Sequence, residues 1–79
     1  MKKIIIFSLT IISVLNVWAQ NTKAEADSAY INNDYVKAIE IYEALLQEGE
    51  AAELYYNLGN SYYKQGEIAR AILNYERAL

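Results

Sequence analysis

The 79-residue chain contains no cysteine, no histidine and no proline, and only three glycines. Without cysteine there is no disulfide to staple the fold, no thiolate nucleophile and no lipid-modified N-terminus. Without histidine there is no imidazole base, and the two absences together remove the ligands of a soft metal site. Without proline, no proline turn closes the last helix. The remaining polar residues offer no catalytic grouping. The acid pairs Glu40–Glu43, Glu48–Glu50 and Glu50–Glu53 lie in polar surroundings that give no reason for a raised carboxyl pKa, so they read as solvated helix faces and helix starts. Ser8, Ser13, Ser28 and Ser61 have no base near them in sequence, and Asn57 and Asn60 lack the acidic company of a calcium loop. No catalytic residue, cofactor, metal ligand or small-molecule substrate is expected.

The charge is uneven. Lys2 and Lys3 precede a run from Ile4 to Val17 dominated by Ile, Leu, Val and Phe, and Val17-Trp18-Ala19 has the spacing read by a signal peptidase. Residues 1–19 are therefore expected to be a secretory signal peptide cleaved before Gln20. A membrane helix needs roughly 20 apolar residues, and this run is broken by Ser8, Thr10, Ser13 and Asn16; an uncleaved anchor is the alternative. Past the leader, five basic residues face all ten acids, a net charge of −5. Such a surface repels nucleic acid phosphates and anionic lipid headgroups, so neither is expected as a partner. Export to the periplasm or the periplasmic face of the membrane follows from the leader. What remains is small enough to bury only ~60% of its unfolded surface, so stability is marginal.

That remainder repeats itself with a period of 33. Ala38-Ile39-Glu40-Ile41-Tyr42-Glu43-Ala44-Leu45 returns as Ala71-Ile72-Leu73-Asn74-Tyr75-Glu76-Arg77-Ala78. Asn33-Asp34 upstream of the first block becomes Gly66-Glu67 upstream of the second, and Asn and Gly are the residues that best tolerate a left-handed helix cap. A fixed period of this length marks a stacked helical array. Each copy reads as two helices. Thr22 and Glu25 form a capping box that starts a helix through about Asn32. A second helix spans about Tyr35 to Glu48 on the spacing of Ala38, Ile39, Tyr42, Leu45 and Leu46, and Gly49 ends it. A third runs from about Ala52 to Lys64 and a fourth from about Glu67 onward. Turns this short make consecutive helices antiparallel neighbours.

Small residues are expected at the crossings. Gly59 is placed to face Ala71 and Ala78, with Tyr55, Leu58, Tyr62 and Tyr75 around the contact, and Ala26 and Ala38 take the same part in the first copy. Tyr55, Leu58-Gly59, Tyr62, Ala71, Tyr75 and Ala78 together resemble the tetratricopeptide repeat, whose signature is an aromatic, Leu-Gly, Tyr, Ala, aromatic and Ala. In the first copy Ala38 and Tyr42 match, while Glu25-Ala26 stands where Leu-Gly is usual and Leu45 where a small residue is usual. The expected fold is all-α: tandem antiparallel helix hairpins of about two repeats, a fragment of an α-solenoid. Its parts are residues 1–19 as leader, 20–51 as a degenerate first repeat and 52–79 as a second, truncated one.

A narrower resemblance joins Leu54 to Lys64, Gly66-Glu67-Ile68 and Ala71 to Leu79 to the exported repeat protein of the aerotolerance (Bat) group. It implies a periplasmic-face assembly role beside membrane-bound von Willebrand-type partners, with contact to the membrane only through a C-terminal part or an uncleaved leader. In this fold the first helix of each pair lines a concave groove. The resemblance therefore implies that Tyr56, Asn57, Asn60, Tyr63 and Lys64, with Lys23, Asp27 and Tyr30 opposite, hold a protein or peptide. Tyr supplies contact area at low entropic cost, and amide and ammonium groups suit a peptide backbone or carboxylate. A chaperone-type carboxylate clamp at Lys23 and Asn57 is disfavoured by the acid at Asp27. Replacing Asn60 and Lys64 with Ala is expected to spare folding and weaken partner capture. Two rival roles stay open: self-assembly through the exposed last helix, or an accessory N-terminal region of a longer membrane protein or enzyme.

Overall fold

The computed structural model describes residues 22–79; the expected leader lies outside them. Among the described residues all regular structure is helical: α1 (Lys23–Ile31), α2 (Tyr35–Glu48), α3 (Ala52–Lys64) and α4 (Ile68–Ala78). None of these helices is long and apolar enough to cross a membrane. Each helix packs on the next in the chain, giving two hairpins, α1–α2 and α3–α4, joined through α2 and α3.

The turns inside the hairpins are chemically determined and match at a spacing of 33. Asn33 has φ 64° and Gly66 has φ 82°, the left-handed geometry that Asn and Gly accept most readily. In the first turn the Asn33 and Asp34 amides donate to the Tyr30 and Ala29 carbonyls at 3.0 and 2.8 Å. In the second, Gly66 and Glu67 donate to Tyr63 and Tyr62 at 2.9 and 3.0 Å. This paired closure satisfies carbonyls that a helix end leaves orphaned. Asp34 then opens α2 by accepting from the Lys37 amide at 3.3 Å. At the start of α1 the Thr22 hydroxyl accepts from the Glu25 amide at 3.2 Å. Only that half of the expected capping box is made, because the Glu25 carboxylate lies 3.1 Å from Lys37 Nζ on α2 and ties the first hairpin together.

The core is Ala26, Ala29, Ala38, Ile41, Tyr42, Leu58, Tyr62 and Ala71. Half of these are alanines, so the axes approach closely and the tyrosines supply the bulk. Tyr42 and Tyr62 are buried, whereas Tyr55, Tyr75 and Ala78 are only partly so. A Cβ built on Gly59 would lie 2.7 Å from Cδ1 and Cε1 of Tyr75 and 3.2 Å from the Ala71 carbonyl oxygen. The space that glycine vacates is thus filled by the Tyr75 ring, with Ala71 beside it. Ala78 lines an outer cleft with Tyr56 and Tyr75.

Candidate functional site: two adjoining clefts on the α1–α3 side

Helices α1 and α3 stand beside one another because both pack on α2, and the side chains between them form a polar cleft of about 320 Å³. Lys23, Asp27, Tyr30 and Ile31 come from α1, Tyr42 from α2, and Glu53, Asn57 and Asn60 from α3. Lys23 holds the two walls together, with its Nζ 2.8 Å from Asp27 Oδ2 and 3.1 Å from Glu53 Oε1. Those bonds raise the lysine pKa, the hydrogen bond to Asp27 contributing most. At Asp27 partial desolvation pushes the carboxyl up, but hydrogen bonds from Lys23 and Tyr42 outweigh it and leave the pKa below its ordinary value.

A second, mainly apolar cleft of about 560 Å³ adjoins the first. Ala52, Glu53, Tyr56, Asn60, Tyr75, Ala78 and Leu79 line it, so Glu53 and Asn60 belong to both. The Tyr56 and Tyr75 rings lie 5.8 Å apart at a tilt of 47°, while Tyr56 stays 55% exposed. Tyr56 is therefore both a packing residue and an open aromatic surface.

The 33-residue period reappears in the floor of these clefts. Tyr42 on α2 donates its hydroxyl to Asp27 on α1, and Tyr75 on α4 donates to Asn60 on α3 at 2.5 Å. Burial raises both phenol pKa values, so both rings stay protonated donors. These bonds fix two groove residues to the helix behind them. Because the Asn60 oxygen accepts from Tyr75, replacing Asn60 with Ala is expected to cost the fold a hydrogen bond as well as a groove contact.

Of the groove residues read from the sequence, Lys23, Asp27, Tyr30, Asn57 and Asn60 are brought together in the polar cleft, and Tyr56 with Asn60 in the apolar one. Tyr63 and Lys64 are exposed and line neither. Tyr63 is the period-equivalent of Tyr30, but among the described residues no helix stands on its far side to complete a wall. From the sequence, Tyr42 and Tyr75 read as packing residues only. Their hydroxyls could have been flagged, because polar residues at 27 and 60 keep the same 15-residue offset from a tyrosine in both copies.

A third cleft, of about 350 Å³, lies between α2 and α4. Leu46, Leu58, Leu73, Arg70, Asn74 and Arg77 are among its walls. Tyr62 donates to Glu43 there at 2.6 Å, and Arg70 lies over the Tyr62 ring at 5.7 Å. Among the described residues no group of three or more acidic, histidine or cysteine side chains could hold a metal ion.

Residues 52–79 match the family model of the tetratricopeptide repeat. The second hairpin is thus similar to a tetratricopeptide repeat. Its match covers α3 and α4 whole, and the first hairpin shares its turn geometry, its Ala38/Ala71 crossing and its tyrosine-to-groove bond. No curated protein and no solved structure matches the chain. Repeats of this family are typically non-catalytic modules that mediate protein–protein interaction, offering extended binding surfaces along the stack.

Proposed function

We propose that the protein is a non-catalytic interaction scaffold that holds an extended peptide or a protein segment against the α1–α3 side. The observation that carries this reading is the pair of adjoining clefts, of about 320 and 560 Å³, lined by the half-exposed Tyr56 ring and the Asn57 and Asn60 carboxamides. An aromatic anchor beside amide donors is the chemistry of peptide capture. Export, a place at the periplasmic face, and a role in the aerotolerance group beside a von Willebrand-type membrane protein extend the same proposal. They rest on the amino-acid pattern of residues 1–19 and 54–79.

Selection of random displayed peptides on the full chain tests the groove. Selected peptides are expected to lose about tenfold or more in affinity on Tyr56→Ala and to be indifferent to Leu73→Ala in the α2–α4 cleft. The reverse pattern moves the site to the other face.

A second reading, self-assembly through α4, is favoured by one comparison within the chain. Ile39 on α2 is partly covered, whereas its equivalent Ile72 on α4 is 51% exposed. Light scattering across a concentration series decides it: a persistent monomer removes this reading.

A further inference from the structure

We infer that the groove takes a peptide segment carrying a lysine or arginine next to a bulky apolar residue. This rests on the groove reading above and goes beyond it by fixing the chemistry of the occupant.

The apolar cleft between Tyr56, Tyr75 and Ala78 accepts the bulky side chain, and the rim it shares with the polar cleft sets what must lie alongside. That rim is Glu53 and Asn60. One ammonium, Lys23, faces two carboxylates, Asp27 and Glu53, so the combined clefts carry an excess negative charge. The Lys23 charge is already engaged at 2.8 and 3.1 Å and is a poor receptor for a carboxylate. Asp27 is engaged at both oxygens, by Lys23 and by the Tyr42 hydroxyl. Glu53 gives one oxygen to Lys23, and its side chain is 67% exposed. Glu53 is thus the group best able to meet an incoming cation. Asn60, whose oxygen accepts from Tyr75, keeps its amide N–H groups to donate to a peptide carbonyl. The two arginines of α4 that could offset this charge, Arg70 and Arg77, line the α2–α4 cleft instead. Charge complementarity of this kind selects the partner and speeds encounter more than it deepens binding.

Three blocked, fluorescently labelled peptides test this on the full chain by anisotropy. They share a leucine-rich frame and differ only in whether lysine, glutamine or glutamate alternates with it. The lysine peptide is expected to bind about tenfold more tightly than the glutamate peptide. Glu53→Gln narrows that ratio to about threefold, whereas Lys23→Met widens it by removing the cation that engages Glu53 and one oxygen of Asp27. Tyr56→Ala weakens all three. Equal binding of the three peptides that is still lost in Tyr56→Ala overturns the cation preference and leaves the groove standing, as does a preference for glutamate. Absence of binding to any of them, or binding indifferent to Tyr56→Ala, overturns the groove itself and this inference with it.

Discussion

Replacing Gly59 with Ala sets two opposed effects against each other, and the structure says which wins. In a helix interior the change gains about 1 kcal/mol of helix propensity. The new methyl, however, would sit 2.7 Å from two carbons of the Tyr75 ring and 3.2 Å from the Ala71 carbonyl oxygen. Carbon atoms rest at about 3.5–4.0 Å, so the ring has to move by the better part of an ångström. It is not free to do so, because its hydroxyl is bonded to Asn60 at 2.5 Å and the Tyr56 ring lies beside it, tilted at 47° with centroids 5.8 Å apart. Overpacking of this sort costs about 1–3 kcal/mol, which leaves a net loss of about 1 kcal/mol. Urea denaturation followed by far-ultraviolet circular dichroism measures it. Two controls separate crowding from backbone effects. Gly66→Ala meets nothing within 4 Å but must hold φ at 82°, and should lose about 1 kcal/mol for that reason. Gly49→Ala, in extended backbone with open space around it, should be neutral or gain about 0.5 kcal/mol. In a Tyr75→Ala background, with an osmolyte added to keep that variant folded, Gly59→Ala should turn neutral or stabilising. A wild-type background in which Gly59→Ala stabilises the chain would refute the crossing as described.

Other expectations follow from the same contacts. Asn74 is 4% exposed, its Nδ2 bonds the Arg70 carbonyl at 2.8 Å and its Oδ1 has no partner, so Asn74→Leu should stabilise by about 1 kcal/mol in the same denaturation assay. Tyr42→Phe strips Asp27 of one donor and should cost about 1 kcal/mol, more than Tyr55→Phe, whose bond to Glu50 is exposed. Burial raises the pKa of Tyr42, Tyr62 and Tyr75 above the ordinary 10.0. The unfolded chain therefore sheds these protons first, and a pH series should show stability falling as pH rises past about 10. The Asp27 carboxyl lies below its ordinary 3.8, so its contribution is present above that value and is lost as pH falls through it.

The helix pattern was legible because its punctuation is chemical. Asn33, Gly66 and Gly49 mark ends, Thr22 marks a start, and the 33-residue recurrence says that both hairpins obey one plan. The clefts were legible in part. Helical spacing puts Tyr56, Asn57, Asn60, Tyr63 and Lys64 on one side of α3, but a wall needs a neighbour. Only residues opposite α1, or within reach of α4 as Tyr56 and Asn60 are, acquire one. Other features depend on which rotamer a side chain adopts across a crossing, and periodicity does not report that. The Tyr75 ring over Gly59, the Glu25 carboxylate turned to Lys37, and the buried Asn74 in the place of Ile41 are of this kind.

The claim on which the functional account depends is that a bound peptide lies along α1 and α3. Backbone amide spectra of the isotopically labelled full chain, titrated with a peptide selected for binding, address it directly. Shifts are expected at Lys23, Asp27, Tyr30, Tyr56, Asn57 and Asn60. Shifts confined to Leu46, Leu73, Asn74 and Arg77 would contradict it.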